Sequence, residues 1–368
     1  MPQFHAFAAQ HARASAPRFA SFAAALLLAA APQAFASCPA DVNGSGQTDG
    51  LDLAAVLSSW GSAGGGAFDT DIDDDGVVAG SDLTLLLSAW GPCGATTPSW
   101  ATLLESAPNP AVVTSPAIRA AIEATGLAWR VRDNATLIEM VLIPAGTFQM
   151  GCSASQFGPC DPDESPVRQV TLSSAFYMGR SEVTQDEWSG QMLGANPSYF
   201  QAANGYPGPG ERPVETVSIL NVDAFLAVSG MRLPTEAEWE YACRGGTTTA
   251  FHGIPVEPNG SNVDGVLPDL GWVTVNSKYW TWPRCLKPAN GFGLHDMVGN
   301  VAEWVSDFWG TYPSAAQTDP TGPGSGSFRV VRGGHWDSWS TDCRSSARLP
   351  LGGDSASESI GFRVVRNP

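Results

Sequence analysis

Two twelve-residue stretches, which begin at residues 41 and 71, repeat one pattern of oxygen-bearing side chains. Each places such side chains at loop positions 1, 3, 5 and 12, a glycine at position 6 and a free carbonyl at position 7. A hard cation needs this spacing, because a short loop must wrap several oxygens around it and turn sharply at its sixth residue. The repeat therefore predicts two calcium sites. Their ligands are Asp41, Asn43, Ser45, Gln47, Asp49 and Asp52 in the first loop and Asp71, Asp73, Asp75, Val77 and Asp82 in the second.

An amphipathic helix is predicted after each loop, over Leu53 to Trp60 and over Leu83 to Trp90. Because position 12 is aspartate and only one helix follows each loop, residues 38–94 resemble a type I dockerin, a small all-α calcium-loop module. The resemblance implies a cohesin-like or cell-surface partner. The alternative is an acidic linker, but no Lys or Arg lies in this stretch. Unneutralised carboxylates would repel one another, so we expect the module to fold only with bound calcium.

The N-terminal 36 residues have the features of a signal peptide. Arg13 and Arg18 provide positive charge, Phe19 to Ala31 form a short apolar run, and small residues flank a cleavage point after Ala36. The chain is therefore expected to be secreted, periplasmic or attached to the cell surface. No later apolar run approaches the ~20 residues of a transmembrane helix.

Export would place the seven cysteines where disulfides persist. Cys38 and Cys93 bracket the calcium-loop module, and Cys152 and Cys160 close a short loop. We predict a disulfide within each of these two pairs.

The composition indicates a loop-rich globular protein. Apolar residues make up 43% of the chain and charged residues 15%, while glycine and proline number 40 and 28. The net charge of −17 argues against nucleic-acid binding, which requires clustered basic side chains. Residues 95–117, rich in Thr, Pro, Ser and Ala, are predicted to be a linker.

Residues 118–368 are predicted to form one irregular α+β domain with short elements. A helix is expected over Ile118 to Ala128, and Val170 to Met178 is expected to be a strand. Capping boxes at Thr184 and Thr235 predict the starts of two further helices.

Several motifs of this region resemble the formylglycine-generating (sulfatase-modifying factor) family. They include Ile143-Pro-Ala-Gly-Thr-Phe-Gln-Met-Gly151, Arg232-Leu-Pro-Thr-Glu-Ala-Glu-Trp-Glu-Tyr241, Asn290-Gly-Phe-Gly-Leu-His-Asp-Met-Val-Gly-Asn300, Arg332-Gly-Gly334 and Gly361-Phe-Arg363. The resemblance implies a C-type-lectin-like α+β fold with little regular secondary structure.

Enzymes of that family oxidise a substrate cysteine with oxygen, using two cysteines that hold one cuprous ion, a metal that prefers soft thiolate ligands. Counted from Gly333, Ser338 and Cys343 take the places of those cysteines. Aligned instead on Arg344 to Arg348, Cys343 leaves the catalytic position. Neither alignment assembles two thiolates, so we do not expect a copper centre.

The resemblance implies four candidate catalytic residues, which would have to converge in one cleft: His335, Ser338, Cys343 and Arg348. For His335, the alternative to a ligand or general base is a packed histidine. The family also has a disulfide at the position of Cys243, and we predict that Cys243 pairs with Cys343 and leaves Cys285 as the odd thiol. Trp280, Trp282, Trp336 and Trp339 are interpreted either as a ligand-binding groove or as core aromatics.

A structural calcium ion is a further implication of the resemblance. Carried over by position, Asp296 and Glu303 would donate carboxylates, and Gly299 and Val301 would donate carbonyls. The alternative is a surface carboxylate pair.

The sequence thus favours an exported, divergent member of the family that is not a copper-dependent oxidase. One alternative is a non-catalytic domain that binds a peptide or a glycan on a lectin-like scaffold. The other is an active sulfatase-maturing oxidase.

Overall fold

The computed structural model describes residues 40–43, 47–63, 70–88, 91–92, 95–152, 160–208, 210–253 and 263–368. All of them belong to one compact unit, Phe35–Pro368. The predicted signal peptide, Ser45, and the Cys38–Cys93 pair lie outside the described residues. Within the described part of the chain, no helix has the length and apolarity needed to cross a membrane.

The N-terminal region contains two short helices. Helix α1 is Gly50–Ser58 and α2 is Gly80–Ser88, and the two-residue strands β1 (Gln47–Thr48) and β2 (Gly91–Pro92) pair antiparallel. Both helices start three residues before the predicted start, so the last residue of each calcium loop lies in the first helical turn. Asp49 caps α1 in a capping box with Asp52. A small core forms from Ala40, Val56, Val78 and Leu86.

The rest of the chain is built on three sheets, which confirms the mixed helix and sheet class. A five-stranded antiparallel sheet has the order β14-β8-β5-β4-β3. Its strands are β3 (Ala101–Glu105), β4 (Arg130–Asp133), β5 (Glu139–Ile143), β8 (Phe176–Gly179) and β14 (Val365–Arg366).

A three-stranded sheet joins β6 (Gly146–Met150), β7 (Arg168–Leu172) and β10 (Gln317–Thr318), with β10 parallel to β7. A four-stranded sheet has the order β12-β11-β9-β13. Its strands are β9 (Ala302–Phe308), β11 (Phe328–Arg332), β12 (Arg348–Gly352) and β13 (Ile360–Phe362).

Helices of seven to eleven residues cover these sheets. They are α3 (Pro116–Glu123), α4 (Gln185–Gln191), α5 (Ile219–Ser229), α6 (Glu236–Arg244) and α7 (Val263–Leu270), with 3₁₀ turns at Pro162–Glu164, Ala202–Asn204 and Ser340–Cys343. The predicted capping boxes at Thr184 and Thr235 are confirmed as the N-caps of α4 and α6.

Two sequence predictions are corrected by the fold. Residues 95–117 are not a linker, because β3 is an edge strand of the five-stranded sheet and α3 already begins at Pro116. The strand predicted over Val170 to Met178 is two strands, β7 and β8, which lie in different sheets. The non-strand residues 173–175 separate them.

Candidate functional site

A cleft of about 240 Å³ opens where β11 ends and the chain turns toward β12. We call it the His335 cleft. Three of the four predicted catalytic residues line it, namely His335, Ser338 and Arg348. The fourth, Cys343, is not among the described lining residues. The structure therefore brings together three candidates and separates the thiol from them.

Two glycines form the turn behind the cleft. Gly333 and Gly334 have φ values of +93° and +70°, which β-branched and bulky residues rarely adopt. A Cβ atom on Gly334 would lie 2.5 Å from the Cys343 Sγ atom. Gly334 therefore packs directly against the thiol and covers it.

The Cys343 side chain is completely buried and packs with Phe251, Leu270 and Val298. Burial raises the pKa of its thiol well above the usual value, with Asp342 adding to the rise. A thiol in this environment is neither nucleophilic nor a ready metal ligand, because both roles require the thiolate.

The predicted Cys243–Cys343 disulfide is absent from the structure, in which Cys243, Cys285 and Cys343 are free thiols. Cys243 donates instead to Ser345 Oγ at 3.4 Å. The Ser345 hydroxyl thus accepts a hydrogen bond from the buried Cys243 thiol, and no covalent bond joins the two side chains. The predicted Cys152–Cys160 disulfide is confirmed.

We expect the native protein to resist alkylation at Cys243 and Cys343. Both side chains are inaccessible, and burial raises the pKa of Cys243 to about 11. Because a raised pKa means less thiolate, at pH 8 both should react far more slowly than a free cysteine of pKa about 8.5. Peptide mapping after iodoacetamide treatment, before and after unfolding, measures this. Fast labelling of either cysteine in the folded protein would contradict the prediction.

Hydrogen bonds fix the orientations of His335 and Ser338. The His335 backbone N–H donates to Ser338 Oγ at 3.0 Å, and the Asp337 N–H donates to His335 Nδ1 at 3.2 Å. The neutral imidazole therefore carries its proton on Nε2. Burial lowers the pKa of His335, although Asp337, Asp342 and Glu358 oppose this. Ser338 is thus held by a backbone amide, and His335 presents an N–H donor.

Arg348 is held in an ion pair. Its guanidinium donates to the two carboxylate oxygens of Glu236 at 2.8 and 2.7 Å and to the Gly310 carbonyl at 2.8 Å. With its donors engaged in this way, Arg348 supports the wall of the cleft rather than offering a free charge.

Sequence reasoning missed a buried charge network behind the cleft. Glu240 is completely buried and accepts from Arg244 at 2.7 Å and from Arg332 at 2.5 Å. Arg332 also donates to the carbonyls of Ser345, Ser346 and Ala347. The signal was present in α6, where Glu236, Glu240 and Arg244 recur every four residues and so share one helix face.

The aromatic residues near the cleft divide into two groups. Trp336 packs edge-on against Phe200, and Trp282 stacks on Trp272 at a centroid distance of 4.3 Å. These rings pack in pairs, but Trp280, Trp282 and Trp336 are half-buried and belong to none of the buried core clusters. Trp339, in contrast, is 67% exposed, as is Tyr279. Neither Trp339 nor Tyr279 is among the described residues that line the His335 cleft.

The turn predicted to hold calcium contains two buried carboxylates, Asp296 and Glu303, and a third, Glu182, lies close to them. Glu303 is paired with Arg363 at 2.8 Å, and Asp296 Oδ2 accepts from the Cys285 N–H at 2.7 Å. Among the described residues, no donor reaches Asp296 Oδ1 or either oxygen of the buried Glu182. Burial raises the pKa of Glu182 well above its ordinary value, with Asp296 and Glu303 adding to the rise. The turn therefore carries buried acceptors that a cation would satisfy.

Glycine is required at the centre of this turn. Gly299 has a φ of +76°, and a Cβ atom there would lie 2.1 Å from the Trp272 carbonyl oxygen. Its N–H donates to the Gly333 carbonyl at 2.9 Å. The turn that holds Asp296 is thus bonded to the glycine pair of the His335 cleft.

The two acidic loops have matching internal hydrogen bonds. Asp52 accepts from the N–H groups of Asn43 and Asp49, the third and ninth loop residues. Asp82 accepts from the equivalent groups of Asp73 and Ala79. In the second loop, one carboxylate oxygen from each of Asp71, Asp73 and Asp82 lies within 4.8 Å of the others. This separation matches oxygens that share one Ca²⁺ at about 2.4 Å.

Comparison with known sequences gives matches over the large domain. Residues 128–368 match the family described as the sulfatase-modifying factor enzyme 1-like domain. The formylglycine-generating enzyme of Bos taurus is 32% identical over 280 residues, covering 62% of this chain and 74% of that enzyme. The serine/threonine-protein kinase pkn1 of Chlamydia caviae is 32% identical over 257 residues, covering 64% of this chain. The match spans only 39% of the length of the chlamydial relative.

Solved structures give a consistent result. Treponema denticola variable protein 1 superposes with a TM-score of 0.53 at 28% identity, over 63% of this chain and 95% of that one. PvdO from Pseudomonas aeruginosa gives the same TM-score at 26% identity, over 65% and 98% of the two chains.

Proposed function

The chain belongs to the sulfatase-modifying factor enzyme 1-like family, and from that premise we propose that its large domain binds a ligand without copper-dependent cysteine oxidation. One observation carries this proposal. The thiol nearest in sequence to the His335 cleft, that of Cys343, is fully buried beneath Gly334 and surrounded by apolar side chains.

A cuprous ion does not fit the residues of the cleft. Such an ion requires soft donors side by side, and sulfur ligands must be deprotonated to bind it. The described lining of the cleft offers His335, the Ser338 hydroxyl and the carboxylates of Asp161 and Asp342. These donors suit hydrogen bonding to a polar ligand better than they suit Cu(I). We therefore derive no copper-dependent step for this protein.

A peptide or a glycan is the ligand class that the surface supports. Trp339 and Tyr279 are exposed aromatic side chains, and the cleft supplies polar groups that can accept or donate hydrogen bonds. Aromatic area combined with a few placed polar groups is the usual composition of such sites. A C-type-lectin-like scaffold would present these loops on one face. His335 lacks a described carboxylate partner of the kind that orients a general base, so catalysis by another mechanism is less well supported.

Incubation with a sulfatase-motif peptide tests the proposal. We expect mass spectrometry to detect no conversion of the peptide cysteine to formylglycine in the presence of Cu(I) and oxygen. The Cys343→Ser variant should behave as the wild type does. The proposal would be wrong if the wild type converted the peptide with stoichiometric copper and Cys343→Ser did not.

We further propose that the protein binds calcium in two regions, namely at the two acidic loops and at the turn over residues 296–303 of the large domain. The acidic loops supply hard oxygen donors at the required spacing, and the region supports a dockerin-like role with a cohesin-like or cell-surface partner. In the large domain, Asp296 with the Gly299 and Val301 carbonyls would hold a structural ion, whereas Glu303, the further ligand carried over by position, is engaged by Arg363 and Trp239. The unpartnered Asp296 Oδ1 fits this assignment, because a buried carboxylate oxygen without a donor is costly. The N-terminal residues support export.

A further inference from the structure

A second, more polar cavity of about 450 Å³ shares Arg348 as a lining residue with the His335 cleft. We call it the Arg168 cavity. It is bounded by β7, by the start of α6 and by the loop that follows β9. Arg168, Glu236, Asp307, Tyr312 and Arg348 are among its lining residues. The cavity therefore brings together charged groups that the proposed function does not use.

Arg168 is a buried cation that makes no ion pair with a described residue. The residue is 6% exposed, and its Nε and Nη1 groups have no hydrogen-bond partner in the described part of the chain. The guanidinium stacks on the Tyr312 ring at 3.7 Å, and Nη2 contacts Met150 Sδ at 3.4 Å. Neither contact supplies the negative oxygen acceptors that a guanidinium normally binds.

The carboxylates that line the cavity are engaged elsewhere. Glu236 accepts from Arg348 and from the Tyr312 hydroxyl at 3.0 Å. Asp307 accepts from the Glu236 N–H at 2.9 Å, and Asp319 accepts from the Ser173 N–H at 2.8 Å. Among the described residues, no carboxylate forms an ion pair with Arg168, although the charges of Glu236 and Glu240 attract it from a distance.

Leaving a buried charge and two N–H donors unsatisfied is costly, and in folded proteins buried charges are paired. An oxyanion would remove both costs, because carboxylate and phosphate oxygens accept charge-assisted hydrogen bonds from arginine. We propose that the Arg168 cavity binds a small oxyanion, a carboxylate or a phosphate group, with Arg168 as its principal donor. This site is separate from the His335 cleft and from both calcium assignments.

Isothermal titration of the mature protein with methyl phosphate and with acetate tests the proposal, with chloride held constant. We expect saturable binding of at least one probe, and the tighter probe identifies the class of oxyanion. Arg168→Gln should weaken that binding about tenfold or more, because it removes hydrogen bonds from a charged donor. The matched control Arg132→Gln changes an arginine that is 44% exposed on β4, and it should bind as the wild type does.

Two outcomes would overturn the proposal: no saturable binding of either probe by the wild type, or equal affinity in Arg168→Gln. If Arg168→Gln does not give a native near-ultraviolet circular dichroism spectrum, Asp307→Asn decides instead. Burial raises the pKa of Asp307 to about 7, so at pH 8.5, where this carboxylate is charged, removing its negative charge should tighten oxyanion binding several-fold. Unchanged or weaker binding in Asp307→Asn would then count against an anion site.

Discussion

Replacing Arg363 with methionine should lower the free energy of unfolding of the large domain by about 3–5 kcal/mol. The Arg363 side chain is completely buried and pairs with Glu303 at 2.8 Å. It also donates to the carbonyls of Gly179 and His295 at 2.8 and 2.9 Å. The variant would leave the Glu303 carboxylate buried with only the Trp239 N–H as a described donor. Urea denaturation at constant calcium, followed by tryptophan fluorescence, measures the change.

The control for this experiment is Arg132→Met. Arg132 also pairs with a glutamate, Glu139, at 3.0 Å, but its side chain is 44% exposed. An exposed pair contributes at most about 1 kcal/mol, so this variant should remain close to the wild type. If the two variants lost similar free energies of unfolding, burial would not be the reason that the Arg363–Glu303 pair contributes to stability.

Removal of calcium should unfold the N-terminal module while leaving the sheets of the large domain folded. The Asp71, Asp73 and Asp82 oxygens lie within 4.8 Å of one another, and without a cation their charges repel. In the described part of this module the core is four buried residues, Ala40, Val56, Val78 and Leu86, with Val42, Leu53 and Ile72 packed against them, which is too small to offset that repulsion. Hydrogen exchange of the full-length chain, with and without chelator, reports each region separately.

In chelator, peptides from residues 50–58 and 80–88 should exchange as an unfolded chain does, while peptides from β5 and β11 should stay protected. Asp82→Asn should weaken calcium binding at least about tenfold, because it removes a charged ligand. Asp74→Asn is the matched control, since Asp74 lies beside the ligand positions and its φ of +56° is one that asparagine tolerates. Retained protection of both helices in excess chelator would refute calcium-dependent folding.

The parts of the fold that the sequence predicted best depend on local chemistry. Thr184 and Thr235 cap their helices because the hydroxyl and the glutamate three residues later satisfy backbone N–H groups within one turn. The loop glycine Gly76 has the expected positive φ for the same local reason. Such signals do not depend on which distant segments meet.

The errors concern partners far apart in the sequence. Residues 95–117 look like a linker by composition, yet β3 within them pairs with β4, which begins only at Arg130. Cys243 and Cys343 were predicted to form a disulfide from a family position, whereas Ser345 takes the contact with the Cys243 thiol. The Arg332–Glu240 pair joins residues from a helix and a strand, and the spacing of charges within α6 alone does not identify its partner.

For the candidate site, the sequence placed His335, Ser338 and Arg348 together correctly. The sequence did not reveal that the Arg348 guanidinium forms an ion pair with Glu236, or that Gly334 packs against the Cys343 thiol. Both facts depend on side-chain packing within a few ångströms, which follows from tertiary structure rather than from motif spacing.

The contacts of Arg332 have a consequence for how this family can diversify. The Arg332 guanidinium at the end of β11 donates to the carbonyls of residues 345–347, and within the segment Arg344 pairs with the buried Glu164 at 2.5 Å. Exposed side chains within that segment, such as Trp339, can be exchanged without opening it. New recognition properties can therefore evolve at the exposed positions at little thermodynamic cost, whereas Arg332 and Arg344 must both be retained to hold the segment closed.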